Sequence, residues 1–143
     1  MNSAEYEIST DPNRVDVDLV HDFLTHSYWA EGRTRELVEK SIKNSLCFGV
    51  YQSQQQVAFA RVVTDRAVFA YLADVFVVPS LRGRGISKLL MQSILEHPDV
   101  KDIKMFLLGT RDAHGLYAQF GFSPYQSERS MAKYNPDGDK RAT

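Results

Sequence analysis

Residues 68–78 form an almost unbroken apolar run of β-branched and aromatic side chains, ended by Pro79. No other feature restricts the fold as strongly. A run of this kind predicts a strand buried on both faces, and therefore one inside a sheet. Pro79 has no N–H to give to a ladder, so the strand stops there. A loop with two glycines follows, Arg82-Gly83-Arg84-Gly85. Ile86, Leu89, Leu90 and Ile94 then fall on one face of a helix expected over residues 85–96, closed by Pro98. Residues 103–108 read as a second apolar strand. Strand, helix and strand make a βαβ unit, whose strands should pair in parallel with a right-handed crossover.

The rest of the chain fits around that unit. Residues 6–9 suggest a short first strand. Val15, Leu19, Val20, Phe23 and Leu24 recur at helical steps over residues 15–26. Residues 27–33 break the pattern, and Thr34 is a good N-cap for a second helix carrying Leu37, Val38, Ile42 and Leu46. Residues 46–51 and 57–64 flank a polar Gln/Ser segment and read as a hairpin. Residues 113–120 suggest a short helix with Asp112 as its N-cap and Gly121 as a left-handed C-cap. The tail from Phe122 is expected to add one or two strands, with a polar, frayed end from Asn135. The sum is an α/β fold, a mixed sheet with helices on both sides.

Composition closes off several functions. A length of 143 residues, 43% apolar, fits one domain over residues 1–143. Lys and Arg number 17 against 18 Asp and Glu, which gives no bulk charge for nucleic acid or an anionic membrane. Cys47 is the single cysteine, so neither an intramolecular disulfide nor a paired-cysteine zinc site is available. It lies in an apolar run and is expected to be a buried hydrophobe. The four histidines show no metal-ligand spacing, so no metal is expected. No run approaches the length of a membrane span, and the first residues lack the order of a secretory signal, so a cytoplasmic protein is expected.

The loop after Pro79 carries the chemistry. Glycines admit positive φ and a close-lying ligand. The first-turn N–H groups of the following helix point into the loop and add partial positive charge. Arg82, Arg84 and Lys88 add full charges. This is a place to hold a dianion such as a pyrophosphate. It is not a Walker loop, and Lys88 stands where the dinucleotide fingerprint needs its third glycine. An ordinary glycine turn with a solvated basic face is the plain alternative.

Arg82-Gly83-Arg84-Gly85-Ile86-Ser87 resembles the pyrophosphate loop of the GNAT superfamily of N-acetyltransferases, with Arg82 and Gly85 on the pattern and Ser87 departing from Gly or Ala. The stretch Ala113-His114-Gly115-Leu116-Tyr117-Ala118-Gln119-Phe120-Gly121-Phe122 resembles a second motif of that family. The resemblance extends over residues 6–134. It implies the acyl-CoA N-acyltransferase fold, with a sheet of about six or seven strands, and transfer of an acetyl group from acetyl-CoA to an amine.

By the same resemblance, Arg82, Gly83, Arg84, Gly85, Ile86, Ser87 and Lys88 hold the diphosphate. The pantetheine arm lies along the backbone of Val75, Phe76 and Val77, and Thr110 takes the place of an Asn that contacts it. Tyr117 is the general acid for the departing thiolate. Asp74 is the only side chain charged at neutral pH in residues 68–78. Burial would raise its pKa and suit it to be the base for the incoming amine. It could equally be tied to an arginine such as Arg61. Tyr28 and Trp29 could wall an acceptor pocket, with Arg33 binding a substrate carboxylate, or they could be an apolar anchor with solvated charge.

The favoured reading is an acetyl-CoA-dependent N-acetyltransferase of a small amine. A protein amine remains open as acceptor, as does a homodimer. A non-catalytic CoA-binding domain of the same fold is the runner-up, and an RNA-contacting basic turn is a weaker third.

Overall fold

Two capping side chains set the N-terminal helices. Asp16 accepts from the Leu19 N–H and starts α1 (Val17–Thr25), and Thr34 accepts from the Leu37 N–H and starts α2 (Arg35–Lys43). The protein is described here from a computed structural model over residues 5–125 and 128–142. The start of the chain, read above for a secretory signal, lies partly outside the described residues, as do positions 126–127 of the expected tail strands. The strands are β1 (Glu7–Ser9), β2 (Leu46–Gln52), β3 (Gln55–Thr64), β4 (Phe69–Val77) and β5 (Met105–Leu108). Helix α3 (Ile86–Glu96) joins β4 to β5, and α4 (His114–Ala118) follows β5.

The sheet has five strands in the order β1-β2-β3-β4-β5. All neighbours are antiparallel except β4 and β5, which pair in parallel from Phe69 with Met105 to Leu72 with Leu108. The fold is thus the expected mixed α/β sheet, with fewer strands than the six or seven anticipated. The described tail residues after Phe122 form no strand. Met131 and Tyr134 stand exposed there. The chain end is instead held away from β5, where a single turn at Gly138–Lys140 folds back onto the start of α2.

Alternation along the strands builds a core on each face. Phe48, Val50, Ala58, Ala60, Val62 and Leu72 pack with Ile86, Leu90, Met91 and Ile94 of α3. On the other face Cys47, Phe59 and Phe76 pack with Val20 and Leu24 of α1 and Val38 and Ile42 of α2. Cys47 is buried, and burial pushes its thiol up to about 12, so it is inert as a nucleophile. The continuous burial expected of β4 holds only toward its end. Phe69 and Tyr71 are exposed and alternate with the buried Ala70 and Leu72, so the first half of β4 buries one face only. The hairpin turn is also tighter than the polar segment suggested. Ser53 and Gln54 both take positive φ, which lets β2 and β3 run almost to the turn.

Gly49 in β2 is required by its neighbour Tyr51. A Cβ at position 49 would stand 2.5 Å from the Tyr51 hydroxyl and 2.8 Å from its ring. Tyr51 is buried, so its ring must shift against packed neighbours to make room. Gly49→Ala should therefore cost about 1–3 kcal/mol as overpacking, read as a lower denaturant midpoint with an unchanged slope.

Candidate active-site cleft

Strands β4 and β5 separate where β5 ends. Pairing stops at Leu72 and Leu108, while β4 continues to Val77. The edge of residues 73–77 on that side has no strand partner among the described residues, and a cleft of about 640 Å³ opens beside it. Asp74 takes φ +55 in mid-strand. Opposite it the register shifts, so that Phe59 faces Phe76 and Arg61 faces Ala73. Two residues of β4 thus oppose one of β3, a bulge that bends the strand at the mouth of the opening. Asp tolerates the left-handed region better than most residues, at a modest strain cost.

The loop after β4 continues the cleft. Gly83 and Gly85 have φ of +78 and +80, and Gly85 is the N-cap of α3. Among the described residues no hydrogen bond takes up the N–H groups of residues 83–88; the first to bond inward is Leu89, to the Gly85 carbonyl. The free amides expected there are present. Arg82 donates from Nε to the Val77 carbonyl at 3.2 Å, which fixes the loop to the end of β4. Its side chain and Ser87 line the cleft. Ile86 is different: its side chain is buried in the core, and only its backbone faces the loop.

Tyr117 lies on the other wall. It is buried, packs edge-on against Phe122 at 6.1 Å, and makes no side-chain hydrogen bond among the described residues. Burial, with Tyr28 nearby, pushes its phenol above the ordinary value, so it remains a proton donor at any physiological pH. Thr110 is also in the wall, and its Oγ1 accepts from the Ala113 N–H at 3.0 Å. That corrects the expected cap: Ala113, not Asp112, is the N-cap residue of α4, and Thr110 supplies the side-chain bond. The hydroxyl proton of Thr110 is still free to donate. Gly121 follows the helix at φ +90, with the Phe122 N–H on the Tyr117 carbonyl, as its C-cap role requires.

The opposite end of the cleft is walled by Tyr28, Trp29 and Arg33 from the α1–α2 connection. Phe23 stacks on Phe76 at 4.1 Å behind them, and Arg111 sits 3.8 Å over the Tyr28 ring, joining the two sides. Asp74 is the centre of this wall. Its Oδ1 accepts from Trp29 Nε1 at 2.9 Å and Arg33 Nη1 at 3.2 Å. Its Oδ2 accepts from Arg61 Nε at 2.8 Å and Arg33 Nη1 at 3.1 Å.

The upward shift expected of Asp74 is reversed. Burial alone would raise the carboxyl, but the charges and hydrogen bonds of Arg61 and Arg33, with the Trp29 N–H, outweigh it and hold the group below its ordinary value. The arrangement is that of an aspartate tied to arginines. Asp139 also joins the cluster through Arg33. No signal in the sequence marked Asp139 or the Arg111–Tyr28 stack, because both arise from chain segments distant in sequence. Gly83, Arg84, Gly85 and Lys88 sit at the loop and helix start outside the cleft lining proper.

Fold and cleft together define a class: a mixed α/β sheet splayed along one strand edge, with unpaired amides at the open end of that edge. The acetyltransferase (GNAT) domain model matches residues 43–124. A GNAT-family structure from Xanthomonas campestris pv. campestris is 47% identical, covering 92% of this chain and 94% of its own, with a TM-score of 0.89. A Gibberella zeae relative carrying an acetyltransferase name is 25% identical over 90% of this chain and 85% of its own. A Clostridium acetobutylicum protein crystallised with acetyl-CoA shares the fold at 15% identity, with a TM-score of 0.65 over 90% of this chain and 94% of its own. This chain belongs to the GNAT acetyltransferase family.

Proposed function

We propose that this protein, residues 1–143 as one domain, transfers an acetyl group from acetyl-CoA to a primary amine by direct attack, with a small molecule as acceptor. The observation that carries the reading is the row of unpaired N–H groups at residues 83–88, continuous with the unpaired edge of residues 73–77. Unpaired amides at a helix mouth suit a diphosphate, and an open strand edge suits an amide-bearing arm. The fold neighbour crystallised with acetyl-CoA supports the same choice of donor.

The thioester brings the acetyl group in activated form; the chain supplies the rest. Backbone groups of Val75, Phe76 and Val77 align the arm, and an N–H on that edge faces the carbonyl oxygen as it gains charge. The amine lone pair forms the new C–N bond as the C–S bond breaks. Tyr117 gives its proton to the departing sulfur. Asp74 anchors the Trp29–Arg33 wall and takes no proton, because its carboxylate is spent on two guanidinium groups and an indole. The amine therefore enters as free base, and the proton its nitrogen sheds as the amide forms leaves through water, from which the Tyr117 phenol regains its own.

Calorimetry with acetyl-CoA, followed by a thiol-release assay over an amine panel, tests this. Saturable binding and amine-dependent release are expected. Ser87 lines the cleft in the first turn of α3, so Ser87→Glu places a carboxylate beside the amides without touching the positive-φ glycines; acetyl-CoA affinity should fall at least about tenfold, or 1.4 kcal/mol. Binding without release for any amine would favour a non-catalytic CoA-binding domain, and absence of binding would end the reading.

A further inference from the structure

The C-terminal turn crosses back to the cleft wall and touches three consecutive residues of the α1–α2 connection. Lys140 lies over Gly32, where a Cβ would come within 2.7 Å of its Cε. The Asp139 carboxylate accepts from Arg33 Nε at 2.6 Å. The Asp139 backbone carbonyl accepts from the Thr34 N–H at 3.1 Å. Arg33 then donates from Nη1 to both Asp74 oxygens, and Asp74 holds the Trp29 indole N–H. A continuous chain of polar contacts runs from Asp139 through Arg33 and Asp74 to Trp29.

Ion pairing shows why the outer member matters. Among the described residues, Arg33 and Arg61 form ion pairs with Asp74 and Asp139, whereas Lys140 and Arg141, carried in on the same tail, pair with neither carboxylate. The Arg33 side chain is 16% exposed and that of Asp74 is 2% exposed. Water therefore compensates little for a lost partner there. Nη1 of Arg33 is shared between the Asp74 oxygens while Nε is fixed from behind, so the guanidinium plane is set by both carboxylates.

We propose that Asp139 is a positioning residue for the acceptor wall of the cleft, acting through Arg33 to hold Asp74 and Trp29 in place. The assignment of that wall to the acceptor rests on the function proposed above; the positioning itself does not. A tail that only added stability would lower the melting temperature and leave the surroundings of Trp29 as they are.

Trp29 is the only tryptophan in the chain, so intrinsic emission reports directly on the wall. Trp29 is 38% exposed, so in Asp139→Asn we expect a further red shift of emission and faster acrylamide quenching, measured well below the melting temperature. Asp139→Glu should restore both in part, because it keeps the charge. Asp137→Asn, two residues away and with no side-chain hydrogen bond or ion pair among the described residues, should match the native protein. A chain ending at Pro136 removes the same contact independently and should reproduce the Asp139→Asn spectrum. Acetyl-CoA affinity should stay at the native level throughout, which separates this test from the failure of acetyl transfer itself. Native emission and native quenching in folded Asp139→Asn, or in the shortened chain, would overturn the proposal.

Discussion

Tyr117→Phe should reduce kcat by about 10²–10⁴-fold, the range for losing a positioned general acid. The Michaelis constant for acetyl-CoA should move little. Phe occupies the same volume, so the edge-on contact with Phe122 and the packing of α4 on the sheet persist. Only the phenolic proton is lost, and the departing thiolate must then take its proton from water. The pH dependence gives a second check. Burial raises the Tyr117 phenol above its ordinary value, so the native enzyme should keep its acid form beyond about pH 10. Asp74 stays ionised through the neutral range, because its carboxyl is held low. The native rate should therefore climb with pH as the amine loses its proton, without a carboxylate inflection, and bend downward only as Tyr117 ionises. In Tyr117→Phe the downward bend should disappear. Unchanged turnover in this variant would remove Tyr117 from the reaction.

Much of this arrangement was legible because it is written in short-range chemistry. Pro79, Gly83 and Gly85 mark the end of β4 and the mouth of α3 through steric preferences that act within a few residues. Thr34 shows its capping role by side-chain type alone. The features that were not legible are those decided by distant contacts. Arg33 and Asp139 are 106 residues apart, and nothing in either neighbourhood points to the other. The ionisation of Asp74 could not be read from the apolar run around it. Its burial was expected, but the sign of its shift depends on guanidinium groups from β3 and from the α1–α2 connection. The bulge at Asp74 depends on the register of β3 against β4, which a single strand does not encode. The missing tail strands are a different case. Residues 122–134 carry no apolar alternation that would specify a strand, and the nearest long-range backbone bond of the tail is the one from the Thr34 N–H to the Asp139 carbonyl.

Asp74→Asn should lower stability by about 3–5 kcal/mol near neutral pH, the cost of breaking a buried ion pair from one side. The shape of the side chain is kept and Asn tolerates positive φ at least as well as Asp, so backbone strain at position 74 does not rise. What changes is charge: Arg33 and Arg61 are left facing each other with one carboxylate, Asp139, in place of two. The effect has a defined pH window. A carboxyl with a depressed folded pKa stabilises the fold above its unfolded pKa, about 3.9, and loses that contribution as pH falls through the folded value. The stability gap between native protein and Asp74→Asn should thus be constant from pH 8 to about pH 5 and close as the solution is acidified below about pH 4. Urea melts across that range measure it directly. Replacing Arg61 with Met in the Asp74→Asn background removes the other unpaired charge and should recover part of the loss, a coupling that independent sites would not show. A gap that stayed constant down to pH 2, or no recovery in the double variant, would mean that the cost arises from packing around residue 74 and not from its charge.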